Sequence, residues 1–333
     1  MGIRVLKGGM MTTVQDLGRT GYQSQGFSVS GVMDVRSFKI ANLLLDNPEN
    51  EAVLEFTLIG PTLEFTSETI ISITGGDFRP QINGKPAKMY TAIYMHRGDI
   101  LTFGGARTGT RGYIAFSSYL DVPVVMGSRS TNIKCQIGGY KGRKLEDEDY
   151  IAFRAKRRYL PYYLSRSLDL DEFDQEKITL RVVMGPQEKM FTKEGRETFL
   201  NSEYTVTSEF DRMGCRLEGP FIAYKTTSDI ISDGIAFGSV QVPSHGKPII
   251  LLADRQTTGG YAKIATVVSV DIPKLVQRKT EQKVRFQAVS VEEAQKLLAD
   301  EMKELNDFRS QIYTPCKEVL DCRLVAKTNQ HTI

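Results

Sequence analysis

Long apolar runs are missing from this chain. No stretch of about 18 uncharged apolar residues occurs, and the opening Met1 to Leu6 is too short for a secretory hydrophobic region, so a soluble, cytoplasmic protein without a membrane partner is expected. A dominant charge is missing too: 43 basic against 40 acidic side chains leave a formal net charge of +3. No long-range field then favours DNA, RNA or anionic lipid, and the expected partners are small molecules or proteins. Cysteine is scarce and scattered. Cys135, Cys215, Cys316 and Cys322 offer no second close pair or nearby histidine pair to complete a zinc site, so free thiols and no metal are expected. A Gly-x-x-x-x-Gly-Lys-Ser/Thr loop is also lacking. Gly104 to Gly112 is a glycine-rich basic turn. Its backbone N–H groups, with Arg107 and Arg111, would cradle a phosphate, but an ordinary hairpin tip is the preferred reading.

What is present suffices for a core: 333 residues, 41% of them hydrophobic, allow one large domain or two of ordinary size. Short apolar runs bounded by Gly, Pro, Asn or Asp recur at 52–59, 63–65, 70–73, 100–103, 113–116, 180–184, 221–224, 249–252, 264–270 and 284–286. Such runs read as strands. Few helical periodicities interrupt them, so the expected fold class is mainly β, barrel-like rather than doubly wound, with a second β-rich domain and a few peripheral helices. One helix is expected from about Asp34 to Leu45. Another is expected from about Val291 to Phe308, on the outside of the last barrel, with Ser290 and Glu293 as its capping box.

A basic, aromatic stretch, Arg154 to Tyr163, precedes the acidic Asp169 to Asp174. The shift reads as an interdomain connector, a solvated linker whose cations meet the following acids rather than a nucleic acid or phosphate. The expected layout is a β-rich domain over 1–160, a connector over 161–178, a barrel domain over 179–290, and a helix and tail over 291–333, with Lys317 to Ile333 flexible. Leu58 to Phe65 echoes Leu217 to Tyr224, Asn83-Gly84-Lys85-Pro86 echoes His245-Gly246-Lys247-Pro248, and Phe103-Gly104-Gly105 echoes Thr258-Gly259-Gly260. A duplicated β unit would produce such an order.

The densest polar sequence is Ile231 to Gly246, leading on to Ala253-Asp254-Arg255-Gln256-Thr257-Thr258-Gly259-Gly260-Tyr261. Polar groups at strand ends followed by a Gly-Gly turn let the backbone approach a ligand while Gln and Thr supply donors and acceptors. Gln241, Gln256, Thr257 and Tyr261 would orient an amide, with Thr258, Gly259 and Gly260 completing the substrate side. Asp254 and Arg255 are the charged candidates, the arginine for a carboxylate or phosphate and the aspartate for a proton; with Gln256 they form the catalytic set. The alternative is that these residues cap strands and satisfy turns. A second polar cluster runs from Thr13 to Tyr22 and on to Asp34, which would serve as a helix N-cap or as an acid, capping being preferred. His245, between Pro243 and Pro248, reads as an exposed turn residue rather than a general base.

Four blocks, Thr13-Val14-Gln15-Asp16-Leu17-Gly18-Arg19, Asp211-Arg212-Met213-Gly214, Gln241-Val242-Pro243 and Asp254 to Tyr261, closely resemble the biotin-dependent carboxyltransferase-like family. That family includes the C-type component of 5-oxoprolinase, also described as the antagonist of a sporulation-kinase inhibitor, and the matching part of urea carboxylase. The resemblance runs from about Gly8 to Phe286. It implies a cyclophilin-like β-barrel, a B-type partner protein of related fold and a site near their interface. It further implies the C-type role in a bacterial complex, with an A-type partner, that uses ATP to open 5-oxo-L-proline to L-glutamate. Carboxyl transfer between biotin and urea or a similar amide, or sequestration of a sensor-kinase inhibitor, remain alternatives. Ala87-Lys88-Met89-Tyr90 lacks the Met before Lys of a biotin-carrier hairpin, so no covalently attached biotin is expected on this chain. The sequence departs from the family pattern at Cys215, usually aromatic, at Ser244-His245, often Pro-Asp, and at Ala262, often Pro.

Overall fold

The computed structural model describes residues 1–156, 159–170 and 173–314. The first half contains β1 (Gly2–Lys7), β2 (Met11–Gln15), β3 (Val53–Thr57), β4 (Thr62–Phe65), β5 (Thr69–Gly75), β6 (Gln81–Ile82), β7 (Lys85–Pro86), β8 (Ala92–Met95), β9 (Ile100–Thr102), β10 (Arg111–Phe116) and β11 (Tyr150–Ala152). They form two antiparallel sheets, ordered β11-β1-β4-β9-β6-β7 and β2-β3-β10-β5-β8. Val5, Phe56, Phe65, Ile73, Ile114 and Phe116, drawn from both sheets, share one buried core. Successive residues of a strand point to opposite faces, so β5 and β10, buried along their whole length, must meet a second layer. That layer is α1 (Val35–Leu44), whose Phe38 and Ala41 pack on Val53, Ile70, Tyr113 and Ala115. β5 puts Ser72 and Thr74 beneath the helix, where their hydroxyls donate to the carbonyls of Ala41 at 2.7 Å and Ser37 at 2.8 Å.

The second half contains β12 (Lys177–Met184), β13 (Glu203–Phe210), β14 (Gly214–Glu218), β15 (Asp229–Gly234), β16 (Ser239–Gln241), β17 (Ile249–Leu251), β18 (Thr258–Tyr261), β19 (Lys263–Val267) and β20 (Lys283–Ala288). Seven of these close a barrel in the order β12-β19-β16-β17-β14-β13-β20, shut by the parallel pair β12 and β20. Leu180, Val206, Leu217, Val240, Ile264 and Val284 fill it, joined by Met33 from the first half. Two short helices, α2 (Lys193–Asn201) and α3 (Ile272–Val276), add Phe199, Leu275 and Val276 to the same core. β15 and β18 stand outside, paired with each other as a two-stranded ribbon. The mainly β architecture, with a closed barrel, a second β-rich part and peripheral helices, bears out the expected fold class.

Several local expectations need correction. Residues 221–224 form no strand; Ile222 is drawn into the barrel core and Tyr224 makes a single bridge to Phe191. The echo of Leu58 to Phe65 therefore ends there, since the first copy closes in β4. α4 (Val291–Ile312) opens with the Ser290–Glu293 capping box but runs past Phe308. It lies against α1 as well as the Ser269–Asp271 turn, through Arg36 to Glu304 at 3.0 Å and Ile312 packed beside Ile40 and Leu44. Of the basic stretch, Arg154 turns back rather than forward. Arg154 pairs with Glu51 at 2.5 Å, and the buried Arg166 donates to the carbonyls of Pro161 at 2.8 Å and Leu44 at 3.1 Å. Arg157, Arg158, Asp171, Glu172 and the tail with Cys316 and Cys322 lie outside the described residues; among the described ones Cys135 and Cys215 are free.

Candidate functional site

The site grows from one turn. Asp211 follows β13, and its Oδ1 accepts from the N–H groups of Met213 at 2.8 Å and Gly214 at 3.1 Å, a local side-chain bond that closes the hairpin to β14. The backbone carbonyl of Met213 accepts from Leu252 N–H at 2.9 Å and that of Arg212 from Asp254 N–H at 2.8 Å. The 211–214 turn and the 252–256 loop are thereby tied side by side. Between them opens a cleft of about 480 Å³, lined by Phe210, Asp211, Met213, Gly214, Ile249 and Leu251 together with Gln241, Arg255 and Gln256.

Gln241 ends β16 and is 6% exposed. Its side-chain Nε2 is buried without a hydrogen-bond partner among the described residues. The close backbone of β18 shapes this position: a Cβ on Gly259 would lie 2.8 Å from that Nε2 and 2.7 Å from Ile235 Cδ1. Arg255 is 7% exposed. It donates through Nε to Ile235 O at 3.0 Å and through Nη1 to Leu252 O at 3.2 Å, and its guanidinium sits 5.6 Å from the Phe237 ring centre. Burial lowers its pKa, and among the described residues no carboxylate offsets that effect. Gln256 is exposed at the rim. Behind Phe210 lies Arg111, 4.8 Å from the ring centre, buried and bonded to the Val276 carbonyl.

Asp254 points elsewhere. Its carboxylate accepts from Arg212 Nε at 2.9 Å and Nη2 at 3.3 Å, and Arg212 also bonds Glu55 and donates to Gly31 O at 2.5 Å. Glu55 in turn accepts from Tyr113 Oη at 2.9 Å and Met33 N–H at 2.8 Å. Burial alone would lower the Arg212 pKa, but Asp254 and Glu55 outweigh it and hold it above the ordinary arginine value. Asp254 thus joins the loop to the first half of the chain rather than facing the cleft.

Of the remaining sequence candidates, Thr257 accepts Ile235 N–H through its carbonyl at 3.0 Å, and Thr258, Gly259, Gly260 and Tyr261 run along β18 opposite β15. None of Thr257, Thr258, Gly260 and Tyr261 lines the cleft. His245 is exposed, its Nδ1 accepting from Lys247 N–H at 3.2 Å. Asp34 caps α1, accepting from Ser37 N–H at 2.9 Å, and Asp16 is consumed by Gly18, Ser128, Arg129 and Ser130. Cys215, at one departure from the family pattern, is a buried thiol whose pKa burial pushes up. Sequence reasoning missed Phe210, Met213, Ile249 and Leu251; the Asp-x-x-Gly turn between two apolar strands was the available signal. Chemically the cleft offers the buried Arg255 guanidinium, two amides and apolar walls, with Asp211 and the Arg216–Glu209 ion pair also on its lining, a receptor for a small polar molecule.

The carboxyltransferase domain model, subdomains A and B, matches residues 25–288. The chain is 33% identical over 308 residues to the C-type component of the 5-oxoprolinase of Escherichia coli strain K12, covering 90% of this chain and 96% of that one. It is 34% identical over 285 residues to the C-type component of the Haemophilus influenzae 5-oxoprolinase, covering 86% and 90%. The crystal structure of the K. lactis urea amidolyase superposes with a TM-score of 0.85 at 29% identity over 92% of this chain. There the match spans 20% of the larger chain. By these matches the chain belongs to the carboxyltransferase domain family, subdomains A and B.

Proposed function

We propose that the chain is the cytoplasmic C-type component of a bacterial ATP-dependent 5-oxoprolinase, working with a B-type partner of related fold and an A-type partner to open 5-oxo-L-proline to L-glutamate. The observation that carries this reading is the Gln241 amide: the residue lines the cleft, and its buried Nε2 has no acceptor among the described residues. A buried donor left unpaired costs about 1–3 kcal/mol, and a lactam carbonyl oxygen would relieve that cost. Gln256 stands on the same cleft to meet the other side of the amide. Likeness to the C-type components of two 5-oxoprolinases supports the choice of lactam.

In ring opening the carbonyl carbon gains an oxygen from water, the C–N bond breaks and the ring nitrogen takes a proton. The amide resists attack until its oxygen is stabilised or derivatised. Gln241 would hold that oxygen, ATP would phosphorylate it with loss of ADP, and once the C–N bond has broken a second water would release inorganic phosphate from the resulting acyl phosphate. The Gly104 to Gly112 loop does not suit a triphosphate: Arg111 is buried under Phe210, and Arg107 is bonded to Asp77 at 2.6 Å. That loop is therefore not proposed as the nucleotide site. Asp254, held by Arg212, serves as a positioning residue for Arg255 and Gln256 rather than as the proton acceptor.

Likeness to urea amidolyase favours one second reading, carboxyl transfer between biotin and urea or a similar amide, with the biotin carboxylase and carrier supplied elsewhere. The complex reconstituted with its B- and A-type partners separates the two through oxoproline-dependent ATP hydrolysis and glutamate formation. Gln241→Ala and Gln256→Ala should assemble normally and lose at least about tenfold in turnover at limiting substrate, as expected for loss of a buried amide contact. Full activity in both variants would remove the cleft from the reaction.

A further inference from the structure

We infer that Arg255 is the carboxylate receptor of the cleft, so that its ligands are small amides bearing a carboxylate rather than neutral amides such as urea. The inference rests on the reading above for the amide part and adds the charged part. Other buried arginines of the chain, such as Arg166 and Arg278 at 0% and 2% exposed, also bond backbone carbonyls, and Arg19, Arg111 and Arg166 each keep a guanidinium nitrogen without a partner among the described residues, but none of these lines the cleft. Arg255 shares the carbonyl pattern through Nε and Nη1 but faces an open cleft, and its Nη2 has no acceptor among the described residues.

A guanidinium largely removed from water keeps its charge and needs a counter-charge or a full set of acceptors. Among the described residues no carboxylate pairs with Arg255. Asp211 Oδ1 accepts from Met213 and Gly214, Glu209 pairs with Arg216 at 2.9 Å, and Asp254 is taken by Arg212. A ligand anion is the partner left. One open nitrogen beside the neutral amide of Gln241 matches a single negative charge; a phosphate dianion would meet uncompensated charge and the acids at the rim. The same cleft therefore carries a donor for a carbonyl oxygen, on Gln241, and a cation for a carboxylate, on Arg255. Urea would leave the cation unpaired, and selection would come from that penalty as much as from any attraction.

The test is calorimetric titration of the whole chain and of the reconstituted complex with 5-oxo-L-proline, 2-pyrrolidinone (the same lactam without the carboxylate), urea and inorganic phosphate. The expected result is 5-oxo-L-proline binding at least tenfold tighter than 2-pyrrolidinone or urea, with no competition from phosphate. In Arg255→Gln the affinity for 5-oxo-L-proline should fall to the 2-pyrrolidinone level, while 2-pyrrolidinone binding stays unchanged; Arg255→Lys should restore part of the difference. Equal affinities for 5-oxo-L-proline and 2-pyrrolidinone in the wild type would overturn the inference without any variant. So would equal weakening of both ligands in Arg255→Gln, or a complex carrying it that turns over 5-oxo-L-proline at unchanged KM. If the complex makes no glutamate although 5-oxo-L-proline binds through Arg255, the assigned reaction fails and the receptor stands.

Discussion

Gly259 and Gly260 are neighbours on β18 with different surroundings. A methyl group on Gly259 would press on Gln241 Nε2 and Ile235 Cδ1, whereas on Gly260 its nearest neighbour is Ile230 O at 3.5 Å, ordinary van der Waals contact. Both atoms next to Gly259 are ends of side chains, so the strand can hold its place while Gln241 swings away. Gly259→Ala should therefore weaken binding of 5-oxo-L-proline by about tenfold, the worth of one lost hydrogen bond near 1.4 kcal/mol. Gly260→Ala should leave binding unchanged, and both melting temperatures should stay close to the wild type. Titration of both variants checks this, and equal affinities would detach Gln241 from the ligand. At this scale the sequence exposed part of the site. Gln241, Arg255 and Gln256 were visible as polar residues at strand ends. The partner of Asp254 was not, because Arg212 lies 42 positions away and its guanidinium reaches on to Glu55 in the first half. Nor could local sequence reveal that β18 leaves the barrel to pair with β15.

At the scale of elements, all but one of the apolar runs bounded by turn residues fell on strands, β3, β4, β5, β9, β10, β12, β17, β19 and β20, because a buried strand needs little beyond length and side-chain branching, whereas the remaining strands carried no such run. The run at 221–224 failed for the same reason: an apolar residue such as Ile222 that is drawn into the barrel core without strand pairing reads the same as a paired one. The starts of α1 and α4 were legible through caps, while α2 and α3 were not foreseen and the partner of α4 depended on tertiary contacts with α1. One junction carries a pH prediction. Asp271, beside α3, accepts from the Arg181 N–H and side-chain Nε, both at 2.8 Å, and from Lys274 Nζ at 2.8 Å. Burial would raise its pKa, but these donors outweigh burial and hold the carboxyl below the ordinary aspartate value. The unfolded chain binds this proton first as pH falls. The contribution is thus complete above the unfolded value of about 3.9 and is lost as pH falls through the lower folded value. Asp271→Asn should be less stable than the wild type at neutral pH, with the gap narrowing below about pH 4. Denaturant titrations at both pH values measure it; a gap independent of pH would deny the ion pair its role.

Across the whole molecule, the two halves are joined by polar rivets as well as by Met33 in the barrel core. Gln277, just after α3, is fully used: its Oε1 accepts the N–H groups of Thr110 and Arg111, both at 2.9 Å, and its Nε2 donates to Asp34 Oδ2 at 2.9 Å and Arg111 O at 3.0 Å. Arg212 makes the parallel connection from the cleft loop to Glu55 and Gly31. Both sets of bonds would break if one half unfolded alone, leaving buried donors without acceptors at about 1–3 kcal/mol each. The intact chain should therefore melt in one calorimetric transition, with calorimetric and van't Hoff enthalpies in agreement. Gln277→Ala leaves the Thr110 and Arg111 N–H groups unpaired at the junction while touching neither core. It should lower the transition and broaden or split it, because the lost bonds belong to the coupling rather than to either half. A variant that melts at a lower temperature with unchanged sharpness would show that apolar packing alone couples the halves. The cleft, built on loops tied across that junction, should then keep its ligand affinity; a split transition accompanied by weaker 5-oxo-L-proline binding would tie the cleft's geometry to the union of the two halves.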